Sequence, residues 1–527
     1  MAKRRRQVTI RPYLAELLTN LTEPEQLFYE LVQNADDDAN ATEICFTFSP
    51  SDLTVWNDGK FSRCTNYEDV SLSCNFGDGR PSSNRRCDFH RLEEIQNAEK
   101  SKETDTTGAF GIGFNCVFRV SDKPELISNG VHLSFYNDES EPGMDTCEER
   151  ECMRGCADSS GTKLILPWAT EEGSEGRNFY EQPAITPTDF ARYEEAAVDS
   201  APMALLFNTN LKKISVESRD GTIHRWSKTV DGETATISSA DSRQRWRKFH
   251  RDLSEDSLFL AKHLKVLGEN EANKHLSIAV REDAEESTRA GVRQGGGRLF
   301  VTFPTEVETH LPVHVNAKFQ PERSRRRLKL DGDLGEWNKD LVVQAGQAIA
   351  AEIVPIRDAL GSPVLFWELV DSAWMAKQRG PDDLGITNYW DASLKEVLKS
   401  QKVIWAESDS WMAVDDVRYR LLDKDDKGSN QRVIHVLGKL GVETVHQQIQ
   451  QKIEQTSGEP ILKELGVKEL SLTDVAAALK RSDLSEGIDQ FLGGKHLLRA
   501  LWEECNRLLK GQKGAPIQPL ALWPTTA

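Results

Sequence analysis

The chain has 527 residues, 38% of them hydrophobic and 28% charged, with a formal charge of −18. That length points to several domains of ordinary globular composition, and the negative balance argues against broad, non-specific binding to phosphate backbones. No apolar run reaches the length of a membrane span, and the basic opening MAKRRR leads into QVTIRPY rather than an apolar segment, so neither a span nor a signal peptide is expected.

In chain order, residues 11–38 read as helix broken near Thr22-Glu23-Pro24, with Thr22 as N-cap and Pro24 in the first turn. Within "ELVQNADDDANAT", Glu30, Asn34 and Asp37 share one helical face. Acids this close to a helix C-terminus oppose its macrodipole, so a hydrated cation outside the helix is expected to complement them. Ile44, Phe46 and Phe48 alternate with Cys45 and Thr47 as in a strand, and "DLTVWN" supplies a partner. Residues 62–107 are polar and irregular, which suits a functional lid better than a plain connection; with little apolar area to bury, the lid is expected to be mobile until a ligand orders it.

A short helix is expected at about 113–120, then strands at "ELIS", "VHLSFY" and "TKLILPW". Cys147, Cys152 and Cys156 match no standard zinc spacing and read as a thiol-bearing surface loop. Nine cysteines without an even framework suit a reducing, cytoplasmic compartment, with a nuclear one left open by the basic opening. A helix near 188–198 precedes strands at "LKKISV", "LSIAV", "RLFVTF" and "LPVHVN" and the long helical pattern "WNKDLVVQAGQAIAAEIVPIRDAL". His314, in a strand pattern, reads as structural. Beyond residue 365 helices dominate, and "LALWPTTA" at 520 echoes "VIWAESDSW" at 403, an echo that is common by chance and, if real, begins a further unit.

Gly108, Gly111 and Gly113 in "TTGAFGIGFNCVFRVSD" let the backbone turn tightly before a helix whose first N–H groups suit an anion. The run is not a Walker-type P-loop, and no β-α-β unit surrounds it. An acidic, solvated helix end accounts for the acids alone but not for the ordered set: the E-x-x-x-N helix, "VWNDG", the polar lid, "TGAFGIGF" and "GTKLILPW". That order resembles the GHKL ATPases, and "LVQNADD", "VWNDGKF", "TGAFGIGFNCVFRVSDKPELIS", "ALLFNTNLKKI", "GRLFVTFP" and "LPVHVNAKF" resemble sacsin and its bacterial relatives over roughly residues 25–345.

The resemblance implies an α+β protein: a Bergerat-type nucleotide-binding α/β sandwich over residues 1–200, a transducer-like α/β domain over 201–370, and a mainly helical region over 371–527. It implies Glu30 as the general base for an attacking water, and Asn34, beside Asp37, as the ligand of Mg2+. Asp58 is preferred for reading adenine, with Asn57 fitting the strict spacing because Phe61 replaces a glycine of that box. Gly108, Phe110, Gly111, Ile112, Gly113 and Phe114 would cradle phosphate, and Thr162 would hold the adenine side. One extra residue in "QNADDDANAT" sets this chain apart from the family's usual run. In "RSRRRLK", Arg325, Arg326 or Arg327 would reach the γ-phosphate. The expected function is an ATPase acting as a conformational switch on protein clients or companion subunits, with Mg2+, ATP and ADP as ligands and nucleotide-dependent homodimerisation. The alternative is a nucleotide-gated DNA- or RNA-associated module in genome maintenance or phage defence, through the arginine run.

Overall fold

A computed structural model of the chain describes residues 14–16, 18–19, 23–38, 40–67, 74, 87–92, 113–137, 142–147, 160–267, 274–282, 296–322, 324–420, 427–481 and 487–511. Helix α1 (Pro24–Asp36) opens where expected: Pro24 takes the first position and Glu23 before it is extended, as a residue preceding proline prefers. Its apolar face buries Leu27, Phe28, Leu31, Val32 and Ala35. The hairpin β1 (Glu43–Phe48) and β2 (Asp52–Asn57) follows, with Ile44, Phe46 and Phe48 inward as their alternation requires. A short helix α2 (Asp88–Leu92) lies within the polar segment.

The expected helix after the glycines is a 3-10 segment, Gly113–Arg119. Then come β3 (Glu125–Ser128), β4 (Val131–Asn137), β5 (Pro142–Cys147), β6 (Thr162–Pro167), helix α3 (Glu175–Tyr180) and helix α4 (Pro187–Phe207). A Thr186–Asp189 capping box starts α4, which outruns its expected end at 198 and carries Pro202 within it. Next are β7 (Lys213–Glu217), β8 (Ile223–Asp231), β9 (Thr234–Ser238), β10 (Arg243–Asp252), β11 (His275–Arg281), β12 (Arg298–Val301), β13 (Phe303–Glu308) and β14 (His314–Asn316).

Among the described residues these fourteen strands form one mixed sheet in the order β13-β12-β14-β11-β10-β9-β8-β7-β1-β2-β6-β3-β4-β5. Only β1–β7 and β12–β14 pair in parallel. The sheet therefore runs unbroken across the boundary expected at residue 200. The first compact unit comprises residues 1–283, 297–309 and 313–341. One apolar core in this unit joins α1, the central strands and α4 as far as Phe300 and Phe303.

The second unit holds residues 284–296, 310–312 and 342–527 and is largely helical where described. Trp367 and Trp390 are fully buried there. Glu464 gathers Lys377 at 2.7 Å, Lys395 at 3.0 Å and the indole N–H groups of Trp374 and Trp390. Buried Arg420 and Glu504 pair through two parallel bonds of 3.0 and 3.1 Å. No helix of the described residues is long and apolar enough to cross a membrane. The echo at residue 520 lies outside the described residues.

Candidate active site

Helix α1 presents Gln26, Glu30 and Gln33 in one stripe, spaced four and three residues apart. A loop from the far end of the first unit reads that stripe. The Nε of Arg325 lies 2.8 Å from Glu30 Oε1, a guanidinium N–H donates to the Gln33 side-chain Oε1, and the Gln26 side-chain amide donates to the Ser324 main-chain carbonyl. The Glu30 side chain is 7% exposed, so its carboxylate meets the cation in a largely dry setting.

The loop is stiff at its base and strained at its tip. Pro321 bridges Leu328, the Glu322 N–H donates to Arg327 O at 2.9 Å, and that of Lys329 to Gln320 O at 3.0 Å. Fully buried Asn338 clamps the stem by accepting from Gln320 N at 2.7 Å and donating to the Gln320 and Lys329 carbonyls. Arg325 sits at φ 55°, left-handed backbone that costs a side-chain-bearing residue about 1–2 kcal/mol. Arg326 turns to Glu306 and Glu23, and Arg327 is exposed. Of the three arginines, Arg325 meets Glu30. A cavity of about 370 Å³ adjoins the pair, lined by Tyr29, Glu30, Arg298, Phe303, Lys318 and Arg325 among others; Asn34, Asn57, Asp58 and Thr162 are not in its wall.

The 3-10 segment packs against α1. Its Cys116 is buried near Glu30; burial, and then the Glu30 charge, push that thiol well above its ordinary value. Arg177, 2% exposed, fixes the segment's end. It donates to Asp122 Oδ1 at 2.6 Å, to the Phe118 carbonyl at 2.6 Å and to the Arg119 carbonyl at 3.0 Å. Gly176 is needed beside it, since a Cβ there would lie 2.4 Å from the Asp122 carboxyl carbon. Arg177 and Asn338 escaped the sequence reading. Only burial of a polar residue identifies them, and one sequence carries no sign of that.

A second cluster forms where β2 and β6 end. Asn57 is in register with Thr162. The Thr162 hydroxyl donates to Gly59 O at 2.9 Å and lies 2.8 Å from the Ser128 hydroxyl, and Asn57 Oδ1 accepts from Gly59 N at 3.0 Å. Asp58 is engaged elsewhere: its carboxylate accepts from Thr42 N at 2.7 Å, Thr42 Oγ1 at 2.6 Å and Glu43 N at 2.9 Å. Burial works to raise that carboxyl, but these donors outweigh it and hold it below its usual range.

The acids at the end of α1 have partners within the protein. Asp36 accepts from the main-chain N–H groups of Thr209, Asn210 and Leu211 at 2.7–2.8 Å, tying the helix to the strand β7 approach. Asp38 accepts from Asn40 N at 2.9 Å. Asp37 lies near Lys318, whose pKa is lowered by burial first, with Asp37 opposing that shift. Asn34 is half-buried one turn beyond Glu30. The Phe114 ring lies tilted against Phe135, centroids 4.9 Å apart, and so packs against the core. Gly108, Phe110, Gly111 and Ile112, with most of the expected lid, lie outside the described residues, as do Cys152 and Cys156. His314 accepts a hydrogen bond from Arg298 N at 3.0 Å and sits between Trp246 and Phe300; burial pulls its pKa down to about 4, a structural role.

A family model for the Sacsin domain matches residues 7–139, which include α1, β1, β2 and the glycine-rich run. The chain is also similar to human sacsin, with 23% identity over 395 residues. That alignment covers 62% of this chain and 8% of sacsin.

Proposed function

We propose that the chain is a sacsin-like, ATP-dependent conformational switch with a GHKL-type site in its first unit. The observation that carries this reading is the 2.8 Å contact between Glu30 and Arg325, which joins the expected base to the expected phosphate sensor. Thr162 facing Asn57 across β2 and β6 supports an adenine side there, with Asn57 favoured over Asp58 because both Asp58 oxygens are engaged, by three donors in all, whereas Asn57 Oδ1 accepts from Gly59 N.

The donor set suits a magnesium nucleotide. Asn34 offers a neutral oxygen one turn from Glu30, the kind of single protein ligand that Mg2+ takes while keeping several waters. When bound, Mg2+ would offset charge on the phosphate oxygens. Arg325 exchanges Glu30 for the terminal phosphate, freeing the carboxylate to accept a proton from an attacking water. The exchange also shifts the Arg325 loop, so hydrolysis is coupled to a change in protein shape. Chaperone-like action on protein clients is the role this coupling would serve. The nucleic-acid alternative is less supported, because Arg325 and Arg326 are engaged by Glu30, Glu306 and Glu23.

Nucleotide titrations test the assignment. Asn34→Ala is expected to weaken Mg-dependent ATP binding, and joint substitution of Arg325, Arg326 and Arg327 by Ala to lower turnover while leaving ADP affinity unchanged. Equal loss of ADP and ATP affinity in the triple variant would rule out the sensor role.

A further inference from the structure

Three cysteines and a histidine converge in the polar segment after β2. Cys64 and Cys87 are 7% and 0% exposed, and Cys74 and His90 are half-buried. One sulfur or ring-nitrogen atom from each of the four lies within 4.8 Å of all the others. His90 Nδ1 is 3.0 Å from Cys87 Sγ and 3.6 Å from Cys64 Sγ. Bonds of about 2.3 Å to sulfur and 2.0 Å to nitrogen give a tetrahedron edges of roughly 3.5–3.8 Å, so the cluster needs only a small contraction to close on an ion.

We propose that Cys64, Cys74, Cys87 and His90 hold one structural Zn2+ in a closed Cys3His site. Three soft sulfurs and an imidazole in tetrahedral array select zinc over the hard cations, which take oxygen ligands. Cys87 and His90 stand three residues apart at the start of α2 and so face the same side. The Cys87 main-chain N–H donates to Cys74 Sγ at 3.3 Å, and the N–H groups of His90 and Cys64 point at the Cys87 sulfur. Such N–H···S contacts spread the charge of bound thiolates and orient them. Three cysteines cannot all pair as disulfides among themselves, and none of the three is in a disulfide in the structure.

The surroundings hold the ligands in place. Asp88 accepts from Ser62 N at 2.8 Å and Ser62 Oγ at 2.6 Å, fastening the chain beside Cys64 to α2. Tyr67 packs edge-on against His90 at 5.5 Å, and both Tyr67 and Phe61 lie against Phe89. At its root, Phe61 N donates to Ser128 Oγ at 2.9 Å, the same hydroxyl that meets Thr162. The ion would therefore staple a segment poor in apolar residues to the edge of the candidate nucleotide site, the use small modules make of structural zinc. This assignment stands whether or not the protein binds nucleotide.

The test is metal content. Full-length protein purified from zinc-supplied cells should carry one Zn2+ per chain by elemental mass spectrometry, and Co2+ exchanged into it should show the intense visible bands of tetrahedral thiolate coordination. Alkylation mapped by mass spectrometry should find Cys64, Cys74 and Cys87 protected until a chelator is added. The joint Cys64→Ser, Cys74→Ser and Cys87→Ser variant should lose at least nine-tenths of the zinc, while Cys45→Ser with Cys505→Ser should keep it. If the triple variant does not fold, the wild-type alkylation pattern and the Co2+ spectrum of His90→Gln decide. Sub-stoichiometric zinc in wild-type protein, retention by a folded triple variant, or a disulfide between any two of the three cysteines would overturn the assignment.

Discussion

Replacing Arg325 with Met removes the cation from Glu30 while keeping an unbranched side chain on the strained loop tip. The two side chains are 29% and 7% exposed, and one bond of 2.8 Å joins them. Breaking a fully buried pair from one side costs about 3–5 kcal/mol, whereas a hydrogen bond to a charged group is worth about 1.5–3 kcal/mol. Arg325 reaches solvent, so the lower range applies and Arg325→Met should destabilise the first unit by roughly 2 kcal/mol. Glu30→Gln removes the charge that needs the partner, so adding Arg325→Met to it should cost less, leaving a coupling of about 1–2 kcal/mol. Arg325→Gly loses the same ion pair but recovers about 1 kcal/mol of left-handed strain, so it should be milder than Arg325→Met. Urea unfolding of the four proteins of the cycle, at one pH and ionic strength, measures the coupling. A coupling below about 0.3 kcal/mol would make this an ordinary surface ion pair, with no buried charge on Glu30 held by Arg325.

Arg177→Lys cannot reproduce three divergent N–H bonds, so it should cost about 2–4 kcal/mol and loosen the 3-10 segment; hydrogen exchange at residues 114–119 should quicken well beyond that of β1. The Glu464 carboxyl would be raised by burial, but its lysine and indole donors bring it from 4.5 down to about 2. A carboxyl depressed in the folded state stabilises fully above its unfolded value and loses that contribution as pH falls toward the folded one. Thermal midpoints measured from pH 4.5 down to 2 should therefore fall less steeply in Glu464→Gln than in the wild type.

Period-two alternation made β1 legible, because Ile44, Phe46 and Phe48 all face the core. Helical spacing put Glu30 and Asn34 on α1 for the same local reason. The strands β8 to β10 escaped the pattern: Lys228 is buried, and Lys248 is half-buried with its Nζ 5.3 Å from the centre of the Phe207 ring. Lys228 Nζ donates to the Asn208 carbonyl at 2.7 Å and Lys248 to that of Leu206, capping the end of α4. An inward lysine interrupts an alternation that a sequence reader needs to see. Both lysines are held near a pKa of about 8, first by burial.

Asp58 was preferred for adenine on its chemistry as an acceptor; its commitment to Thr42 and Glu43 depends on the turn that brings the start of β1 beside it. The zinc ligands were missed because Cys64 and Cys74 have no short spacing to Cys87 and His90, and only folding gathers them. Arg325 and Gln33 are 292 residues apart, so no local signal could show which arginine reaches α1.

Glu30 is proposed to activate water for ATP hydrolysis in a site that binds Mg–ATP without it. Phosphate release and calorimetric Mg–ATP binding, measured side by side on wild type and Glu30→Ala, test it most directly. Wild-type protein should bind and hydrolyse; Glu30→Ala should bind with similar affinity while turnover falls by about 100-fold or more. Near-wild-type turnover in Glu30→Ala, or wild-type protein that neither binds nor hydrolyses Mg–ATP, would contradict it.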